Sequence, residues 1–448
     1  MTQVADDQMA ESIADSSWID ELRRRGAAQF ESVGYPSTKS EEWRFTQLAP
    51  ITRTRFRPAG RESHGKLIAE TVAQFSFGKE AAAELVFVNG FFEPQLSRLG
   101  KLSLGVRVMN LAEAFASDSS PARQHLAKYA TIDANPFIAL NTGSFRDGAL
   151  VHVARGMAIE HPIHLLFVST AGEQPTISHP RVLIVLDPAA QASVVESYCG
   201  AGEGVYFTNA VTEIVAGPGA RIDHCKLQQE SLSAFHVATM QVELNRSADF
   251  VSHSASVGSR ITRNDLNVIM ADEHAQATVN GLVLIGGEQH VDNHTMLDHA
   301  SANCPSHELY KHVLDGKATG VFKGKILVRP GAQKTDSKQT SKTLLLSDDA
   351  AMNSQPALEI YADDVKCTHG STIGPVDEEQ VFYLRSRGVG MDAARHLLTY
   401  AFAADITRRI KVEPVRRRLE NLMAAQHGLP QDLRITDLGA HDEAARNL

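Results

Sequence analysis

From about residue 140 to 375 the chain shows no helical periodicity, and a short β-type run returns at a nearly constant interval. The runs are VLIVLD from 182, VTEIVA from 211, MQVELN from 240, LNVIMA from 266, KILVRP from 325 and LEIYAD from 358. Their starts lie 29, 29, 26, 59 and 33 residues apart, the fourth gap being about two repeats. A small Gly/Ala/Asp step and an alternating polar stretch follow each run, as in GPGARIDHCKLQQ. One coil of this kind cannot bury its apolar face alone and gains a core only by stacking on its neighbours. No blade signature of a propeller is present, and the period is too long for hexapeptide repeats. The pattern predicts a mainly β fold built on a parallel β-helix. Three short strands per coil are expected, with the runs at 182, 211, 240 and 266 in adjacent rungs.

Helical signals flank this region. Ser16, Ser17 and Asp20 are cap candidates, and Trp18, Leu22 and Phe30 share one helical face, ending at Val33-Gly34 and Tyr35-Pro36. AAAELVFVNGFFEP reads as strand and turn around Asn89-Gly90, and LAEAFASD at 111–118 as helix. At the far end Asp392 can cap a helix striped by Leu398, Phe402 and Ile406. After Glu413-Pro414, Val415, Leu419 and Leu422 stripe a second helix that stops near Gly428-Leu429-Pro430, with a polar tail beyond about 433. The division expected is an α-rich region over 1–135, the β-helix over 136–388 and a helical region over 389–448.

Composition removes several function classes. With 43% hydrophobic and 22% charged residues the chain is no disordered polymer. Lys and Arg against Asp and Glu gives 44 − 53 = −9, which argues against nonspecific nucleic-acid binding. No apolar run reaches the ~18–20 residues of a membrane span. Cys199, Cys225, Cys304 and Cys367 are too scattered for a disulfide framework, which fits a reducing compartment. The opening MTQVADDQMAESIAD has neither an apolar h-region nor an Arg-rich face, so a cytoplasmic location is expected.

Few residues offer chemistry. His290, His294, His299, His307 and His312 include H-x3-H and H-x4-H spacings of the zinc-ligand kind, but they fall among strands, where even spacings share a face only along one continuous strand, so surface or turn histidines are expected rather than a structural metal. GPGARI and GGEQH lack the lysine and hydroxyl of a P-loop, so no nucleotide site is expected in this chain. No G-x-S-x-G elbow is present. Asp363-Asp364 imitates the acid pair of a carbohydrate-active β-helix, yet neighbouring strand residues face opposite ways. Cys367 and His369, two apart in DVKCTHGSTIG, project from one face of a strand. A protonated imidazole there can lower the thiol pKa, and thiolate with neutral imidazole is a soft-metal ligand pair. The plain alternative is a structural cysteine beside a turn histidine.

The run LEIYADDVKCTHGSTIGPVDEEQVFYLRSRGV at 358–389 resembles the C-terminal signature of the SufB/SufD proteins of the SUF iron–sulfur cluster assembly system. GVFKGKILVRPGAQKTDSKQTSKTLLLSDDA at 320–350, HELYKHVLDG at 307–316 and FIALNTGSFRDG at 137–148 resemble it too. PSTKSEEWRFTQL at 36–48, with no clustered cysteines, is similar to the SufD branch. The resemblance implies a right-handed parallel β-helix with helical flanks and a non-catalytic scaffold role. Such a subunit pairs with SufB through the β-helix ends and binds the SufC ATPase through C-terminal helices. Leu398, Phe402, Ile406, Val415 and Leu419 would then meet the ATPase, with Arg408, Arg409, Arg416, Arg417 and Arg418 at the wet rim. His369 and Cys367 match the family's Cys-x-His positions near the SufB–SufD interface, where a nascent cluster is held transiently and shared with SufB. Thr368 and Ser371 stand where the family often has Ser and Ala. A cysteine desulfurase system supplies sulfur indirectly, reduced flavin is associated with such complexes though no flavin motif is legible here, and homodimerisation of the isolated chain stays open. Two other classes were weighed. A carbohydrate-active enzyme fits poorly without an export signal, and a zinc-dependent hydrolase lacks an H-E-x-x-H base.

Overall fold

In the computed structural model residues 17–61, 66–117 and 121–426 are described; Ser16, the stop at Gly428-Leu429-Pro430 and the polar tail lie outside them. Two long sheets face each other. The first orders Val106–Asn110, Gly148–Val153, Arg181–Leu186, Tyr206–Ala216, Phe235–Leu244, Ile261–Met270, His290–His299 and Thr319–Val328, and ends on Ala351–Ser354 and Ala357–Ile360. The second orders Ala83–Val88, Ile163–Thr170, Gln191–Ala201, Arg221–Gln229, Asp249–Ser256, Gln276–Ile285, Pro305–Leu314, Asp336–Leu345 and Lys366–Pro375. From Gly148 onward the chain steps alternately between them, building a β-solenoid of about eight turns. The runs at 182, 211, 240 and 266 do occupy adjacent rungs of the first sheet, with Val211 opposite Arg181, Thr239 opposite Val211 and Asp265 opposite Thr239.

The coil differs from the three short strands expected. It holds two strands, mostly of about ten residues. The "polar stretches" are the second of these strands, whose inward positions include charged and amide side chains: on Arg221–Gln229, Ile222 is followed inward by His224, Lys226 and Gln228, all buried. The 59-residue gap contains His290–His299, a full strand of the first sheet. Between strands the Gly/Ala/Asp step is a corner. Ala189, Gly219, Ser247, His274, Asn303 and Lys334 have φ between 56° and 68°. Successive corners hydrogen-bond to each other, Ala189 N–H to Pro218 O at 2.9 Å, Gly219 N–H to Arg246 O at 2.8 Å and Ser247 N–H to Glu273 O at 3.0 Å. That ladder holds non-glycine residues in the left-handed region, which a single turn would hold poorly.

Inside, Val182, Ile184, Ile214, Val242 and Val268 of the first sheet meet Val194, Ile222, Phe250 and Val279 of the second. Each such side chain contributes roughly 1.5–3 kcal/mol when fully buried. Gly281 is required here, because a Cβ would lie 2.1 Å from the Tyr310 ring.

The flanking segments wrap this body. The opening helix spans Ser17–Val33 and ends at Gly34 with φ 64°, as the sequence predicts. Asn89 and Gly90, at φ 54° and 83°, turn Ala83–Val88 back onto Phe91–Phe92. Residues 83–88 and 106–110 nevertheless join the two sheets, so strand pairing runs continuously across residue 135. Asn135 caps the helix Pro136–Ser144 by accepting from Phe137 N–H at 2.8 Å.

Two buried arginines fasten these segments to the outer face of the first sheet. Arg181 bonds Glu213 at 2.6 Å, and Glu213 accepts from the backbone of Ala127, Tyr129 and Ala130. Arg263 stacks at 4.4 Å on Trp43, bonds Asp265 at 2.7 Å and Asp292 at 2.6 Å, and donates to Glu42 O. The EEWRFT element is thus a clasp over the solenoid.

The C-terminal helices are Glu378–Ser386, Met391–Thr407 and Glu413–Gln426. Ile406 and Met423 pack with Leu282, Leu284 and Val313 of the second sheet. Val415 and Leu419 pack with Phe77, Val195 and Cys225. Arg418 stacks at 3.8 Å on Phe75 and donates to Gln74 O.

Two measurements test this packing. Gly281→Ala should destabilise by about 1–3 kcal/mol through overpacking, and Tyr310→Leu on that background should recover most of it. A denaturation midpoint unchanged by Gly281→Ala would remove the close approach. Arg263→Ala should cost about 3–5 kcal/mol by leaving Asp265 and Asp292 buried without their cation. It should also expose Trp43, read as a red shift in tryptophan emission before global unfolding.

Candidate functional site

The last strand of the second sheet, Lys366–Pro375, pairs in parallel with Asp336–Leu345 on one side and has no strand on the other among the described residues. Cys367 stands opposite Ser337 and His369 opposite Gln339. Ser337 and Gln339 are buried inward positions, so the cysteine and the histidine continue the inner face onto a rung with no strand beyond it. The two side chains therefore share a face, as the two-residue spacing predicts. His369 is exposed and Cys367 half-buried. Nearby apolar groups are unusually open: Tyr361 is 61% exposed, Ile373 46% and Ile360 40%.

Thiol activation by the neighbouring imidazole does not appear. Burial pushes the Cys367 thiol above its usual 9, a bond from the Ser337 backbone eases it, and the Asp336 charge adds to the rise. The other cysteines are buried and free, and burial raises the thiols of Cys199, Cys225 and Cys304 as well. As a donor set, one thiol and one imidazole supply two of the roughly four ligands an iron–sulfur cluster takes, so the pair fits half of a site completed from elsewhere.

The five histidines between 290 and 312 are scattered. His290 and His294 point outward beneath the EEWRFT clasp, His290 bonding Thr46 and Thr319, His294 bonding Asp292 and Glu42. Burial opposes protonation of His294, but its bonds to Asp292 and Glu42 prevail and raise its pKa. The His294 and Lys323 contacts hold the Glu42 carboxyl at about 2. His299 and His312 point into the solenoid, and His307 faces outward, exposed. No group of three or more His, Cys, Asp or Glu suited to a metal occurs among the described residues. Alternation along strands, and a corner between 299 and 305, separate what the spacing brought together. Asp363 and Asp364 lie exposed in the turn before the end rung, with Asp364 paired to Lys334, and form no acid pair across a groove.

The helical stripes expected to meet a partner are largely committed within the chain. Ile406, Val415 and Leu419 are at most 1% exposed, and Leu398 and Phe402 are half-buried against the second sheet. A partner cannot reach the first three without unpacking them. Arg408, Arg409 and Arg417 are exposed, whereas Arg416 and Arg418 are half-buried and Arg418 clasps residues 74–75. Sequence reasoning missed the open aromatic pair Phe382 and Tyr383, 72% and 57% exposed on the helix Glu378–Ser386. Only the absence of an apolar stripe on that helix hinted at it.

Two family models match the chain. The SufBD protein N-terminal region covers residues 5–165, and the SufBD core domain of SUF system FeS cluster assembly covers 167–402. An iron–sulfur cluster assembly SufBD family protein of Synechocystis is 32% identical over 416 residues, covering 90% of each chain. The iron–sulfur cluster assembly protein SufD of Escherichia coli is 31% identical over 87% of this chain and 89% of its own. SufD of Bacillus subtilis is 24% identical over 92% and 95%. No described helix is long and apolar enough to cross a membrane.

The raised thiol pKa has a direct readout. Because only thiolate alkylates, Cys367 should react slowly at neutral pH in the isolated chain, its rate still climbing through pH 9. A plateau near pH 7, measured by mass spectrometry of iodoacetamide-treated protein, would reverse that sign.

Proposed function

The chain belongs to the SufBD family of SUF-system iron–sulfur cluster assembly proteins, and we propose that it is the SufD-type scaffold subunit, acting without catalytic turnover of its own. The observation that carries this reading is the placement of Cys367 and His369 on the inner face of an end rung that has no further strand beside it among the described residues. An open strand of ten residues is a site for strand addition, and covering it with a partner's end rung would bring further thiols to the same place. The partner is a SufB-like paralogue, and the nascent cluster is cargo held between the two. Neutral imidazole is a weaker anchor than thiolate, so a mixed site suits transient holding and handover.

An SufC-like ATPase would dock on the C-terminal helices. Its contacts fall to groups that remain open there, including Phe382, Tyr383 and the exposed arginines, with Leu398 and Phe402 at the edge of the surface. Ile406, Val415 and Leu419 support that surface from beneath.

The test is reconstitution with the copurifying subunits. His369→Ala should lower the rate of cluster formation by about tenfold or more while the complex still assembles. Cys367→Ala should do less harm. Truncation at residue 390 should release the ATPase in a pull-down. Wild-type cluster formation by the His369→Ala complex would return Cys367-Thr368-His369 to a structural role, and recovery of the ATPase with the truncated chain would move its docking surface elsewhere.

A further inference from the structure

The inner face of the second sheet changes character just before the end rung. On Gln276–Ile285 the inward positions are Ala277, Val279, Gly281 and Val283. On the next strand they become Ser306, Glu308, Tyr310 and His312, and on the one after it Ser337, Gln339, Ser341 and Thr343, all buried. The intervening His307, Lys338 and Lys342 face outward and are exposed, whereas the polar side chains in the inner column are buried. Register aligns Glu308, Gln339 and His369 in one column that ends at the candidate site.

Gln339 is held in one orientation. Its amide nitrogen donates to Glu308 Oε2 at 2.7 Å. The amide crosses to the facing sheet, where Gly324 leaves room for it: a Cβ there would lie 2.3 Å from Gln339 Nε2. With one amide hydrogen given to Glu308 and the nitrogen seated over Gly324, the amide oxygen is left over. Gln339 Oε1 is buried and has no hydrogen-bond donor among the described residues. A buried carbonyl oxygen in that condition draws a donor, either water or a side chain. The next side chain in its column is His369, on the adjacent strand one spacing of about 4.8 Å away.

We propose that Gln339 is the positioning residue of this site: its amide oxygen accepts the N–H of the His369 imidazole and so selects which ring nitrogen is left free for metal. A metal-bound histidine ordinarily gives its second N–H to an acceptor that sets ring orientation and tautomer. Glu308 acts one step further back, keeping the Gln339 amide turned the right way. The inference rests on the reading of His369 as a cluster donor, but its geometry is testable without a cluster.

The full chain labelled with 15N-histidine reports the tautomer directly from the imidazole nitrogen shifts, recorded at the alkaline end of a pH series where the spectra no longer change. His369 is assigned through His369→Gln, and exposed His307 serves as the internal reference. Wild-type His369 should show one dominant tautomer, and Gln339→Met, similar in size but without an acceptor, should return it to the His307 ratio. Gln339→Glu, which keeps an acceptor and shares one proton with Glu308, should restore the dominant tautomer. In the reconstituted complex Gln339→Met should slow cluster formation by about tenfold, with Gln339→Glu retaining most of the rate. A wild-type ratio equal to that of His307, or one unchanged in Gln339→Met, would overturn the proposal. A locked tautomer that Gln339→Met releases supports it even if His369→Ala complexes build clusters normally, an outcome that would instead remove the cluster-site reading.

Discussion

Everything in this molecule depends on a strand having a neighbour. In a parallel solenoid each rung satisfies its backbone only by lying between two others, and each apolar inner position is dry only because the next rung covers it. At the N-terminal end the chain supplies its own cover: Ala83–Val88 is flanked by short antiparallel strands, and Val106–Asn110 closes the first sheet. At the other end Lys366–Pro375 is long, exposed and one-sided. The asymmetry separates a covered end from an open one, and Cys367 and His369, proposed above to hold a cluster, lie at the second.

Polar groups inside the solenoid follow the same logic. Glu196 is met by Tyr198, Thr212 and His224, and Glu230 by Thr208, Gln228 and His236. These two networks are tolerable in a low-dielectric interior because Glu196 and Glu230 each meet several hydrogen-bonding or charged partners. Outside, Arg181 and Arg263 use paired charges to fix separate segments against one sheet. Removing either arginine leaves carboxylates stranded, so these pairs act as latches whatever their net contribution to stability.

How much of this was legible depends on which face a residue serves. The repeat could be read because the first sheet's strands carry nearly unbroken apolar runs, such as VLIVLD at 182–187. Arg221–Gln229 and its equivalents in the second sheet read only as alternating polar stretches because their inward positions hold groups such as His224, Lys226 and Gln228, and hydropathy does not reveal that such groups are satisfied inside. His290–His299 escaped notice for a related reason: its outward Asp292 and His294 are covered by a clasp from far away in the chain. Cys367 and His369 could be placed on one face by strand periodicity alone. The raised thiol pKa could not, since it reflects burial and Asp336 in the adjacent rung. Stripes such as Val415–Leu419 announce a buried face without saying what buries it, and here it is the chain's own second sheet.

The EEWRFT clasp carries a consequence for synthesis. Thr46 bonds Asp292 across a sequence separation of 246 residues, and Arg263 reaches Glu42 across 221. As the polypeptide leaves the ribosome, Trp43 appears long before the strands that receive it, and the loop to be closed is among the longest the chain contains. Its closure entropy grows only slowly with length, but the wait is set by translation. During that interval the Trp43 ring, buried in the folded chain, lacks the Arg263 cation that it stacks on. Residues 42–46 are thus made early and seated late, so nascent-chain protection matters most for this clasp.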